Sequence, residues 1–175
     1  LLLKPFNSKD IFSQNFLHGK LSNLFFKFTN RQFSENISLS KLKSDNKIDL
    51  NLRSRLCESR QTSQSKFEKF VLNQIMYNFP KIFLEDFSLA KNCINNIFLP
   101  KNPKILLTSM DHHFNDLFKI YAGEKKIKGS KLYIFQHGGT YGSSDPCPTE
   151  NLDVKIADKY FSWGWQDIKE KKIHP

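Results

Sequence analysis

Cysteine is the first scarcity. The chain has three, Cys57, Cys93 and Cys147, far apart and odd in number, which excludes a disulfide framework and a Cys-x-x-Cys metal site. A reducing, cytoplasmic compartment is the plain expectation. No run approaches the roughly 18 apolar residues that cross a bilayer. Arginine is nearly as scarce, with 4 of the 27 basic residues, and the lysines are spread along the chain instead of gathered into a block. The formal charge of +10 therefore lacks the compact basic patch, RNA-binding signature or zinc-finger spacing that nucleic acid requires, and no nucleic-acid partner is expected. Also missing are a Gly-x-Gly-x-x-Gly turn and a Walker-type lysine loop, which removes dinucleotide oxidoreductases and phosphate-loop ATPases. No cofactor is expected.

What is present begins at Lys131. Leu132, Tyr133, Ile134 and Phe135 form a short apolar run with aromatic and β-branched members, as a strand buried on both faces requires. At Gln136 the character changes to Gln-His-Gly-Gly-Thr-Tyr-Gly, through Gly142. Ligands in open α/β sheets bind outside the carboxyl ends of strands, so the chemistry is sought here. Gly138, Gly139 and Gly142 are expected to supply positive φ or close approach to a ligand.

Around that stretch the pattern predicts an α/β, Rossmann-like parallel sheet. Lys104 to Thr108 reads as a buried strand, a helix capped by Ser109 or Asp111 runs from about His113 to Lys126 with Phe114, Leu117, Phe118 and Tyr121 inward, and a third strand centres on Tyr160 to Trp163. Upstream, Ser65 to Tyr77 is an amphipathic helix with Ser63 or Ser65 as cap. Pro80 interrupts it, and a second helix from Ile82 to Ile97 ends before Pro100 and Pro103. Residues 1–62 are polar with short aromatic clusters such as Leu24-Phe25-Phe26-Lys27-Phe28, and Asn30 to Asn51 is partly a long connection. The expected division is thus a helix-and-loop region over 1–62 and an α/β lobe over 63–175.

His137 is the leading candidate for catalysis, either as a general base or as a phosphate ligand, with a histidine satisfied in a tight turn as the plain alternative. Gln136 orients a sugar hydroxyl or bonds the neighbouring loop. Thr140 and Tyr141 continue over a ligand or only form the turn. Glu150 and Asp158 are the carboxylates nearest in sequence, either able to orient His137, although Asp158 suits strand bracing as well. Trp163 and Trp165 offer flat rings for stacking on a sugar or base, or for packing. Cys147 sits between two prolines without a partner base and reads as structural. Asp111, His112 and His113 are adjacent on a helix and lack ligand spacing, so capping with solvent-exposed imidazoles is expected and no metal site.

The block from Gln136 to Gly142, followed by Glu150 and by Ile156-Ala157-Asp158-Lys159-Tyr160-Phe161-Ser162-Trp163-Gly164-Trp165, resembles the signature of a family of bacterial transferases of surface-carbohydrate (O-antigen type) biosynthesis. It is more distantly similar to capsule polysaccharide enzymes and to teichoic-acid glycerophosphotransferases. The resemblance is best from about Phe67 onward. It implies the first lobe of a longer GT-B-type enzyme, inactive without its second lobe, that moves a glycosyl or related group from a nucleotide-activated donor to a hydroxyl without an obligatory metal. It further implies an acidic residue at about Glu150, the Asp158 block as a second motif, polar helix positions at Asp116 and Lys119, and a carbohydrate or lipid-linked acceptor. That setting is cytoplasmic and leaves room for peripheral association with the inner face of the membrane. A non-catalytic carbohydrate- or nucleotide-binding module remains the alternative from another class.

Overall fold

A computed structural model describes residues 11–15, 19–29, 37–38, 42–58 and 65–175. Five strands form one parallel sheet: β1 (Ile11–Ser13), β2 (Ile105–Thr108), β3 (Lys131–Phe135), β4 (Lys159–Phe161) and β5 (Ile173–His174). They lie in chain order, β1-β2-β3-β4-β5. The Rossmann-like α/β class is therefore observed, with β3 central as its apolar run predicts. Leu132 and Ile134 are buried, and the register sets Leu106 against Leu132, Thr108 against Ile134, and Ile134 against Tyr160.

The helix expected between β2 and β3 is two. A short α5 (Asp111–Phe114) is followed by α6 (Asp116–Ile127), and Asn115 between them is the cap, its side-chain oxygen accepting from the Phe118 N–H at 3.1 Å. The break turns Phe114 outward, 69% exposed, against the expectation that it faces in. Leu117, Phe118 and Tyr121 are buried as expected. Tyr121 meets Phe12 of β1 edge to face at 5.3 Å and donates to the Pro100 carbonyl at 2.7 Å. A further helix that periodicity did not reveal, α7 (Pro148–Ile156), connects β3 to β4.

The chain divides into two units, residues 1–39 with 94–175 and residues 40–93. β1 explains the first segment: three residues of the polar N-terminal region pair with β2, Ile11 opposite Ile105. Also in this unit is α1 (Lys20–Thr29), which spans the Leu24 cluster and exposes Leu21, Leu24, Phe25 and Phe28. Ser63 and parts of the Asn30 to Asn51 connection lie outside the described residues.

The second unit holds α2 (Leu50–Glu58), α3 (Lys66–Asn78), a 3-10 turn at Lys81–Phe83 and most of α4 (Phe87–Asn95). The turn and α4 replace the single helix expected from Ile82. Ser65 and Glu68 cap α3 reciprocally, each side chain accepting from the other's backbone N–H. The centre is polar. Arg53 of α2 is buried and donates to both Glu85 oxygens, at 2.6 and 2.9 Å. That fork holds the Glu85 carboxyl down at about 2 against an ordinary 4.5. Nearby, Asp86 accepts from Ser44 at 2.6 Å and Asn46 at 2.8 Å. No helix among the described residues is long and apolar enough to cross a membrane.

Because removing one member of a buried pair strands the other, Glu85→Gln is expected to destabilise the second unit by about 3–5 kcal/mol, read as a lower urea midpoint. Glu85 is depressed in the folded state, so its contribution is complete above pH 4.5 and fades as pH falls towards about 2. The midpoints of wild type and variant should therefore converge across that window.

Candidate functional site

Four successive strands deliver polar residues at their carboxyl ends. Beyond β1 come Gln14 and Asn15, the latter at φ 44°. Gln14 is buried and exchanges two hydrogen bonds with the Ile37 backbone, at 2.8 and 3.0 Å. Asn15 donates to Asp111 Oδ1 at 2.9 Å, while its carbonyl accepts from the Ser109 backbone N–H. Beyond β2 come Ser109, Asp111, His112 and His113. Beyond β3 come Gln136 and His137, and beyond β4, Ser162 to Trp165.

The focus of this edge is a carboxylate that sequence reasoning missed. Asp153, on α7, has 0% exposure. Its Oδ1 lies 2.7 Å from His112 Nε2 in a hydrogen bond and 2.7 Å from His113 Nε2 without hydrogen-bond geometry. Its Oδ2 faces His137 Nδ1 at 4.0 Å. The imidazole centroids are 4.1 Å apart for His112 and His113 and 5.5 Å for His113 and His137. His113 Nε2, His137 Nδ1 and Asp153 Oδ2 are all buried without a hydrogen-bond partner among the described residues, a condition uncommon enough to need an explanation.

The expected solvent-exposed imidazoles at Asp111, His112 and His113 are therefore corrected. Asp111 and His112 are buried and His113 is nearly so, because the end of β2 drives this short helix beneath α7. Adjacent helical positions do diverge, yet both rings bend to one oxygen. Burial is the chief cause that lowers both His113 and His137 below the ordinary imidazole range, with the neighbouring histidines adding to it and Asp153 opposing. Burial likewise raises Asp111, opposed by the Asn15 and Asn115 amides.

His137 itself stands as expected at the end of β3. Its Nε2 is 3.2 Å from the Tyr141 hydroxyl, and the Tyr141 ring is buried. Glu150 accepts from the Gly142 N–H at 2.6 Å, and Asp153 is the carboxylate whose Oδ2 faces His137 Nδ1. Asp158 is at the opposite edge. It accepts from Lys126 at 2.7 Å, Lys131 at 3.2 Å and the Leu132 N–H at 2.9 Å, bracing the amino ends of β3 and β4 away from the site.

Gln136 is buried and bonded within the protein. Its Nε2 donates to the Gly138 carbonyl at 2.7 Å, and its Oε1 accepts from the Trp163 N–H at 2.8 Å and from Trp165 Nε1 at 2.7 Å. It ties the glycine turn to the tryptophan segment, the second of the two uses expected for it. Thr140 closes a turn through Ser143 and Ser144. Of the three glycines only Gly142 has positive φ, 76°. Gly138 lies against the Tyr141 ring and Gly139 borders open space. Trp165 packs over Gly142, whereas Trp163 is 62% exposed and free to meet a ligand.

Asp153 had a signal. Pro148 followed by Glu150 is the start of a helix, Pro at its first position and an acid in its first turn, and such a helix carries Asp153 back over the turn.

At Gly142 an added Cβ would sit 2.7 Å from the Trp165 indole on a backbone that L residues avoid. Gly142→Ala is expected to lower stability by about 1–3 kcal/mol, measured as a reduced denaturant midpoint, while Gly139→Ala, with no neighbour within 4 Å, shifts it by under about 0.5 kcal/mol.

Over its whole length, residues 1–175, the chain matches the family model described as LIC12162 family transferase. No curated protein and no solved structure matches it.

Proposed function

The chain belongs to the LIC12162 family of transferases, and from that premise we propose that it moves a glycosyl group from a nucleotide-activated donor to a hydroxyl of a growing cell-surface polysaccharide, with His137 as base. The observation that carries this reading is the setting of His137. It stands at the carboxyl end of the central strand, Nε2 at the Tyr141 hydroxyl and Nδ1 towards a fully buried carboxylate. An imidazole whose Nδ1 proton faces Asp153 presents Nε2 as the lone pair, the arrangement that suits proton removal. Burial favours its neutral form.

In the reaction, His137 Nε2 takes the proton of the acceptor hydroxyl. The acceptor oxygen then bonds the donor's anomeric carbon. The bond from that carbon to the donor's phosphate oxygen breaks, and its electron pair leaves with the nucleotide. The exposed Trp163 ring offers a platform for a sugar or base, and Gly139, open to its surroundings, lets a phosphate approach the backbone. A GT-B arrangement would complete the cleft with a second lobe holding most of the donor. The acceptor is then a carbohydrate or a lipid-linked saccharide.

The test is a titration of the full-length protein with sugar nucleotides and CDP-glycerol, wild type against His137→Ala, following binding and product together. His137→Ala is expected to lower kcat by about 10²–10⁴ with the donor Kd unchanged, the usual contribution of a positioned base. Equal binding by both proteins with no turnover by either would sink the base assignment and favour a binding module. Transfer from CDP-glycerol instead of a sugar nucleotide would keep His137 and change the group moved.

A further inference from the structure

We propose that His112, His113 and Asp153 form a binding site for a divalent transition-metal ion, with His137 held against it as an outer partner. The three side chains place one ligand atom each, two imidazole nitrogens and a carboxylate oxygen, all within 4.8 Å of one another. Nitrogen and oxygen donors of this kind suit zinc and its first-row neighbours more than magnesium or calcium, which favour all-oxygen sites.

The contacts have the form of ligands sharing a centre. His112 Nε2 and His113 Nε2 both come to 2.7 Å from the same Asp153 oxygen. A hydrogen bond accounts for the first. It does not account for the second, where a nitrogen lies within bonding distance of the oxygen but is not aimed at it, and where that nitrogen is buried with no partner. Ligands at zinc distances of 2.0–2.1 Å stand about 3.3 Å apart around a tetrahedral ion, so an opening of roughly 0.6 Å between the shared oxygen and each nitrogen would bring those pairs to ligand spacing. Three protein ligands leave a fourth position for a water or a substrate oxygen.

Charge and the remaining atoms agree with this. A carboxylate with no exposure needs a compensating cation, and an ion meets that need while leaving the imidazoles neutral. The second Asp153 oxygen, unpartnered and facing His137 Nδ1 at 4.0 Å, is then free to accept its proton. Ion, carboxylate and His137 form the chain by which outer partners set a histidine's tautomer. Asp111 stays outside the set; its Oδ1 accepts from the Asn15 amide at 2.9 Å and lies 3.4 Å from the Asn115 amide.

The experiment uses full-length protein without a polyhistidine tag, stripped with chelator, then titrated with Zn²⁺ by calorimetry and with Co²⁺ by visible absorption. Wild type is expected to take up one equivalent of Zn²⁺ and to give Co²⁺ the intense absorption of a four- or five-coordinate nitrogen and oxygen site. His113→Gln and Asp153→Asn should each weaken Zn²⁺ by at least about 100-fold, since loss of even an outer partner costs about 10–100-fold. His174→Gln, which removes a histidine of β5, should bind as wild type does. Where a ligand variant fails to fold, the wild-type Co²⁺ spectrum decides by itself. A spectrum that stays that of the aqueous ion, or Zn²⁺ uptake equal in wild type and in folded His113→Gln, would overturn the proposal. Neither readout involves turnover, so the site stands or falls apart from the transfer reaction.

Discussion

A carboxylate shut away from water dictates the layout of this protein's working edge. Asp153 has no exposed surface, and an isolated ionised group in such a place is too costly to persist. Three imidazoles from two different strand ends surround it. To bring them there, β2 ends in a helix of four residues instead of running straight into α6, and α7 packs against β3 and β4. The break at Asn115, the outward turn of Phe114 and the depth of α7 are consequences of that one demand.

The glycine turn obeys a second, milder constraint. Gln136 gathers three hydrogen bonds from groups on both sides of the site, and Glu150 adds a fourth tie by holding the Gly142 N–H. With Trp165 laid over Gly142, the loop is fixed in position before any ligand arrives. Preorganisation of this kind removes the cost of ordering a loop when a ligand binds.

Much of the fold was legible where composition and period coincide. β2 and β3 are short apolar runs in a parallel sheet, and such runs announce themselves. Leu117, Phe118 and Tyr121 recur at helical spacing and are buried accordingly. The misses have physical causes. β1 is only three residues long, and its place in the sheet is fixed by a partner over ninety residues away. Asp153 is acidic on a weakly patterned helix, and only tertiary packing distinguishes a buried aspartate from a solvated one. His112 and His113 were misjudged because adjacent side chains on a long helix diverge, whereas four residues of helix held between a strand end and α7 leave both rings one direction to take. Gln136 and His137 stand out in the sequence because a strand that ends abruptly in polar residues and glycines is unusual at any position. What each does had to come from distances.

One further property follows from the identity of residue 136. The amide that joins the glycine turn to the tryptophan segment carries no ionisable proton. Its neighbour in sequence, His137, is an imidazole, which can gain and lose a proton. A glutamate at position 136 could fill similar space, but its hold on Trp163 and Trp165 would then vary with acidity. With glutamine there, the tie between the glycine turn and the tryptophan segment holds at any acidity, whatever the state of the ring beside it.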